Sequence, residues 1–282
     1  MLSSPPMHNI LKTLSESQTA LDLGCGNGSF NYAAYRCKII GIDIILNAAE
    51  LSRDGDRLQY IRSTAHQIPL AGNSIDAVIC HHSMEHFSSY TRTLDEISRV
   101  LKPDGMLWIA VPNGYSFDDA LYRFTDAGHG HVNRFRLDPL IQEVRIRTDL
   151  KLVQFFALFS GFVYLKKPLP GLPSLFGRFM RLLPDSLNRG CVLGINAATR
   201  IIDKAFGLRT SQYGWAFVFA RNKVSLESLP SYFNVCWKCG SGHGADYLKS
   251  SGRVSSKLGI RFFRCPSCQA NNIFLEPPKD LS

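Results

Sequence analysis

Three glycines follow a short apolar run in Leu21-Asp22-Leu23-Gly24-Cys25-Gly26-Asn27-Gly28, and a second run, Ile39-Ile40-Gly41-Ile42, ends on Asp43. A glycine-rich bend between a strand and a helix lets the backbone approach a ligand closely, because no Cβ intervenes and positive φ costs little. A carboxylate at the tip of the next strand can accept both hydroxyls of a ribose. Together these residues describe a nucleoside pocket. The spacing G-x-G-x-G departs from the dinucleotide pattern G-x-G-x-x-G, with the third glycine one position early, and this weighs against an NAD-binding unit.

A second constellation is metal chemistry. Cys236-Trp237-Lys238-Cys239 and Cys265-Pro266-Ser267-Cys268 are two C-x-x-C pairs with 25 residues between them. Four thiolates arriving on two tight turns suit a tetrahedral zinc ion, whereas redox chemistry would need only one pair. Residues 230–278 are too few to bury a stabilising core alone, so a bound zinc would supply folding energy. Gly240 fits a knuckle, Phe262-Phe263 a strand, and His243 is a possible substitute ligand. Lys249, Arg253, Lys257, Arg261 and Arg264 could form a basic strip, although Arg261 and Arg264 would alternate faces on a strand.

Histidine is the third signal. Cys80-His81-His82-Ser83-Met84-Glu85-His86 follows an apolar run, and His129 and His131 stand between glycines further on. His86, His82 and His131 are candidate general bases for a hydroxyl acceptor, with a structural or cofactor-contacting role the competing reading for His86 and solvation that for the loop histidines. No N-P-P-[YFW] follows the run, which disfavours amino methylation of DNA bases.

The elements that must position these groups alternate in type. Strands are expected at 20–23, 38–42, 59–63, 75–80 and 106–111 with helices between them, the clearest at 90–101, where Leu94, Ile97, Val100 and Leu101 recur at helical spacing. Lys102-Pro103-Asp104-Gly105 should end that helix and turn the chain. Residues 114–136 read as a loop with room for one helix, 139–147 as a helix, and 152–159 and 213–221 as the last strands. The insertion 161–211 is rich in Leu, Phe, Gly, Pro and Arg. Its stretch 174–183 sets Leu175, Phe176, Phe179, Leu182 and Leu183 against Arg178 and Arg181, the pattern of a helical cap or of a helix lying on a membrane.

Hydrophobic residues are 45% of the 282 and charged residues 20%, proportions of a folded globular chain rather than a disordered one. The net charge of +9 is local. Residues 1–150 hold 14 Lys and Arg against 17 Asp and Glu, residues 151–223 hold 11 against 2, and residues 224–282 hold 7 against 4. A basic, apolar middle can meet nucleic acid, anionic lipid or a phosphorylated glycan, or be a solvated surface. The N-terminal stretch lacks a signal-peptide pattern, the apolar window 152–165 is too short to span a bilayer, and four of eight cysteines are scattered singly, so a reducing cytoplasmic setting is expected.

Four stretches, LDLGCGNG, GIDI, HQIPLAGNSIDAVICHHSMEHF and EISRVLKPDGMLWIAVPN, resemble the class I, type-11 S-adenosylmethionine-dependent methyltransferases over about residues 18–113. The resemblance implies an α/β fold: a Rossmann-like seven-stranded methyltransferase sheet over residues 1–225 with a helical insertion; the two cysteine pairs separately resemble a zinc ribbon, which would form a small domain at 230–278. The methyltransferase resemblance further implies that Asp22, Gly24, Cys25, Gly26 and Gly28 surround the methionine part of the cofactor, Asp43 the ribose, Ile44 the adenine face, and Thr64 and Ala65 the adenine edge. Thr64 stands where the family usually places an acid. His82, Glu85 and His86 are similar to the Glu-x-x-Glu-His triplet that binds a divalent metal in ubiquinone O-methyltransferases, with His82 replacing the first acid.

The expected activity is O-methylation of a small molecule or lipid-linked glycan, with S-adenosylmethionine and zinc bound and peripheral contact at the inner membrane face. An RNA methyltransferase gripping phosphates with ribbon and insertion is the alternative, and a non-catalytic cofactor-binding or zinc-mediated scaffold is a third reading.

Overall fold

The computed structural model describes residues 8–47, 55–126, 131–165 and 183–278. Seven strands form one sheet: β1 (Thr19–Leu23), β2 (Lys38–Asp43), β3 (Leu58–Arg62), β4 (Ile75–His81), β5 (Leu101–Pro112), β6 (Lys151–Phe159) and β7 (Gln212–Ala220). Their order is β3-β2-β1-β4-β5-β7-β6. The first five run parallel, and β7 is antiparallel to both β5 and β6. This is the seven-stranded Rossmann-like sheet of the methyltransferase fold. The order reverses between β1 and β4, and open sheets bind ligands at the strand C-termini beside such a switch.

Alternation along the strands sorts residues between two faces. Leu21, Val78, Leu107, Ile109, Phe217 and Phe219 point to the side covered by α1 (Tyr90–Val100) and α3 (Leu137–Thr148). Ala20, Ala77, Ala110, Ala216 and Ala220 point to the other. Among the described residues, the helices expected in the β1–β2 and β3–β4 connections are absent from that second face. The β1–β2 connection holds only a 3₁₀ turn at Tyr32–Ala34, and no α-helix lies between β3 and β4 among the described residues. The 14 residues between Leu23 and Lys38 are taken up by the glycine bend and by Tyr32 and Tyr35, which fill the space a helix would occupy. A short 3₁₀ turn at Asn9–Thr13 and the chain around Val224 and Leu226 complete the cover.

Within 114–136 one helix forms, α2 (Phe117–Asp126), and residues 102–105 extend β5 instead of making a separate turn. The insertion contributes α4 (Asp185–Phe206); residues 174–182 of the expected amphipathic stretch lie outside the described residues. This 22-residue helix packs a largely polar face. It buries Asn188, Asn196, Thr199, Arg200 and Asp203 together with Val192, and turns outward Leu187 (57% exposed), Ile201 (49%) and Phe206 (74%). The fully buried Arg200 donates to the carbonyls of Ser160 (2.7 Å), Phe233 (2.8 Å) and Asn196 (3.2 Å). Asp203 closes the turn into β7 by accepting from the amide and hydroxyl of both Thr210 and Ser211 at 2.6–2.8 Å.

The C-terminal residues form β8 (Asn234–Val235), β9 (Gly242–His243), α5 (Ala245–Ser250), β10 (Val254–Lys257), β11 (Ile260–Arg264) and β12 (Asn271–Ile273), with a core of Ala245, Leu248, Phe263 and Phe274. They seat against the larger sheet through Phe233 and Val235 on Phe159, and through Trp237 on the cluster around Phe162 and Val192.

Candidate active site

The bend after β1 is held by its own side chains. Asp22 is buried and accepts from Ser29 Oγ (2.9 Å) and Tyr32 Oη (2.5 Å). Burial raises its pKa to about 6, against the pull of those hydrogen bonds. Gly24 has φ +77°, and a Cβ there would stand 2.5 Å from that of Ser83, so only glycine lets the β1 and β4 tips meet. Cys25 is buried, and burial with Asp22 and Asp43 nearby raises its thiol to about 12, so it stays neutral. Asp43 folds back over the bend: its Oδ2 accepts from the Gly26 amide (2.8 Å) and its Oδ1 from the Ile45 amide (3.0 Å). Each oxygen keeps a lone pair for a further donor.

These parts enclose a cleft of about 220 Å³ lined by Gly24, Ile42, Asp43, Ile44, Ser63, Ala65, His82, Ser83, His86 and Phe87. Of the residues expected around a cofactor, Gly24, Asp43, Ile44 and Ala65 face it. Asp22, Cys25, Gly26 and Gly28 shape the bend but do not line the cleft. Thr64 sits between two lining residues, and its buried Oγ1 has no hydrogen-bond partner.

A second chamber of about 360 Å³ opens on the other side of His82 and His86, which line both cavities. Its walls are aromatic and acidic: Tyr122, Phe159, Phe162, Tyr164 and Tyr213 with Glu85, Asp118 and Asp119, together with His131 and Gly240. His82 sits at φ +51°, its Nε2 2.9 Å from Tyr213 Oη and its Nδ1 3.6 Å from Glu85 Oε1. A non-glycine residue in that region stores strain that the surroundings must hold. The chain at 131–133 closes over the histidine turn. Amides of Val132 and Asn133 donate to Glu85 O (2.9 and 3.0 Å), and Asn133 Nδ2 donates to the carbonyls of Met84 (3.0 Å) and Phe87 (2.7 Å). His131 is thereby stacked on Tyr122 and set edge-on to His86. His129 lies outside the described residues.

Unlike Glu85, the chamber acids Asp118 and Asp119 form no motif in the sequence. Burial raises Asp118 to about 6, although it is hydrogen-bonded to Ser160 and Tyr164. For Asp119 burial pushes upward, but nearby His131 and the hydrogen bond from Arg123 prevail and hold it below the usual carboxylate range. The only trace of them in the sequence is a pair of acids in the first turn of α2, a place equally suited to plain helix capping.

Elsewhere, Cys236, Cys239, Cys265 and Cys268 converge. The Cys236–Cys268 and Cys239–Cys265 sulfurs are each 3.6 Å apart. Zn–S bonds of about 2.3 Å in a tetrahedron put sulfurs about 3.8 Å apart, so this donor set fits zinc. The two knuckles match: Gly240 (φ +77°) and Gln269 (φ +62°) follow the second cysteine of each pair, and their amides donate to the carbonyls of Cys236 and Cys265. His243 Nε2 lies 3.4 Å from Cys265 Sγ, beside the four thiols.

Residues 21–109 match the methyltransferase domain family. The matched stretch runs from β1 into β5 and contains every residue lining the nucleoside-sized cleft. YcgJ of Bacillus subtilis (strain 168), described as an uncharacterized methyltransferase, is 28% identical over 149 residues, which are 50% of this chain and 54% of that protein. The tRNA (carboxymethyluridine(34)-5-O)-methyltransferase ALKBH8 of Mus musculus is 30% identical over 110 residues, 38% of this chain and 16% of that protein. The chain thus spans about half the length of the first relative and under a fifth of the second. The crystal structure of YcgJ superposes on 76% of this chain and 95% of its own, at 17% identity and a TM-score of 0.48. The cleft beside β1 and β4 lies within the stretch that matches the methyltransferase domain family, and most of the second chamber lies beyond it.

Proposed function

We propose that the chain is an S-adenosylmethionine-dependent methyltransferase that O-methylates a small molecule or a lipid-linked glycan. The observation that carries this reading is the pair of cavities meeting at His82 and His86, one lined by the methyltransferase motifs and one by aromatic and acidic side chains. When bound, S-adenosylmethionine supplies an electrophilic methyl on a sulfonium sulfur, which leaves as a neutral thioether as the methyl passes to the acceptor oxygen.

The chain's own groups fit that cofactor. Asp43 has lone pairs directed to a ribose, Thr64 Oγ1 is a buried acceptor without a donor beside the place of the adenine edge, and Gly24 leaves open the space a Cβ would take. His86 and His131 border the chamber where an acceptor hydroxyl must give up its proton, and Tyr213 orients His82. Holding acceptor and methyl in line is the larger part of catalysis by such a site. Zinc on the four cysteines belongs to the same reading, as does a cytoplasmic setting with peripheral contact to the inner membrane face, supported by the outward apolar side of α4 and the basic balance of residues 151–223.

Isothermal calorimetry with S-adenosylhomocysteine tests the cofactor. Asp43→Ala should weaken binding about 10- to 100-fold, the worth of one charge-assisted interaction; equal affinity in the two proteins, or none in the wild type, refutes the enzymatic reading. The RNA alternative draws on the same basic stretch and on the tRNA methyltransferase among the relatives. Labelled cofactor offered with lipid, glycan and RNA fractions separates the two. RNA binding should fall steeply between about 50 and 200 mM salt, whereas flotation with vesicles would favour the lipid-linked acceptor.

A further inference from the structure

Glu85, His86 and His131 each offer one ligand atom, and the three atoms lie within 4.8 Å of one another. His86 and His131 come from separate segments, brought together because the 131–133 backbone is pinned to the Glu85 carbonyl. Glu85 is 2% exposed, and its Oε2 is buried without a hydrogen-bond partner. Its other oxygen lies 3.6 Å from His82 Nδ1. An ionised carboxylate in that position is costly unless a cation faces it. Behind His131, Asp119 Oδ1 lies 3.7 Å from Nδ1, the outer carboxylate that orients a metal-bound imidazole and raises its basicity.

We propose that Glu85, His86 and His131 form a divalent cation site in the wall of the second chamber, distinct from the four-cysteine cluster. Two imidazoles and one carboxylate suit zinc, iron(II), manganese or cobalt rather than calcium or magnesium. Ligand bonds of about 2.1 Å hold two ligand atoms no more than about 4.2 Å apart, so small side-chain rotations close the three groups on an ion. The protein supplies one face of the coordination sphere and leaves the chamber side open. His82 is not a ligand, because its Nε2 is engaged with Tyr213 and its place is taken by His131. An ion here would lower the pKa of a hydroxyl placed in the chamber; that use rests on the function proposed above, whereas the site itself does not.

Cobalt(II) reads the two metal sites separately. Protein carrying one equivalent of zinc on its thiols is titrated with cobalt(II). A second equivalent should bind with weak d–d bands and without the intense sulfur-to-cobalt charge-transfer band of a thiolate site. Glu85→Gln and His131→Ala should each weaken that equivalent at least about tenfold. Because Glu85 is buried and its variant could fail to fold, His131→Ala, on a half-buried residue, carries the test independently. Circular dichroism and S-adenosylhomocysteine calorimetry serve as controls. Absence of the second equivalent, a charge-transfer band on it, or unchanged affinity in His131→Ala overturns the proposal. Cobalt bound as expected in protein that takes up no S-adenosylhomocysteine would refute the methyl-transfer reading and leave the site standing.

Discussion

Single residues decide whether the cleft exists. Gly24→Ala puts a methyl into Ser83 at a φ that L-residues avoid, so it should cost about 2–3 kcal/mol in urea unfolding and abolish S-adenosylhomocysteine binding. A variant of wild-type stability and affinity would show that β1 and β4 do not meet as described. Four buried groups also set a pH dependence. Burial with His82 nearby lowers His8 to about 3 and His81 to about 2, from 6.5, while burial raises Asp22 and Asp118 to about 6, from 3.8. Between about pH 4 and 6 the unfolded chain carries protons on both histidines and neither acid, and the folded chain the reverse. The proton counts cancel, so these groups give a flat stability there. Below about pH 3.8 the acids are protonated in both states, the unfolded chain holds two protons more, and stability falls steeply on acidification. His8→Phe keeps ring contacts with Phe30 and Trp108 but removes one proton from the unfolded side. Its stability between pH 6 and 4 should therefore rise on acidification by about 1.4 kcal/mol per pH unit relative to wild type, measured by urea midpoints.

Strands and motifs were legible in the sequence where local pattern and burial agree, as in β1, β2, β4, α1 and the two knuckles. Apolar runs bounded by glycine and proline leave few alternatives there. That the β1–β2 and β3–β4 connections hold no α-helix among the described residues was not legible, because aromatic residues in a connection read equally well as helix or as loop. The His131 contact to Glu85 was beyond reach for another reason: it depends on two loops 46 positions apart in sequence meeting over one strand end. The polarity of α4 misleads in the opposite sense, since a periodic apolar stripe normally marks the packed side of a helix. Here the packed stripe is largely polar around Val192, with Asn196 Nδ2 reaching the carbonyls of Gly161 and Val235 at 3.4 Å each. Leu187→Lys and Ile201→Lys should each change stability by less than about 0.5 kcal/mol, and Asn196→Leu should cost about 2 kcal/mol by stranding both carbonyls. The opposite ranking in chemical denaturation would place the packed face on the other side.

Across the whole molecule, the four-cysteine module is joined to the sheet and lends Gly240 to the second chamber. Trp108 and Trp215 are buried in the sheet, while Trp237 packs in the seat between module and α4. Stripping the metal with a strong chelator should release one equivalent of zinc and shift tryptophan emission to the red, with S-adenosylhomocysteine affinity unchanged. A loss of that affinity would mean that the module supports the cleft as well as the chamber. The position of β7 carries a consequence for synthesis. β5 pairs with β4 on one side, but its other neighbour, and the sheet neighbour of β6, is β7, a strand made after both, so a nascent chain holds one open edge on β5 and an unpaired β6 until residues 212–220 emerge. Open edges of this kind invite pairing with neighbouring chains, and ribosome-bound intermediates ending before Gln212 are where chaperone demand for this protein should concentrate.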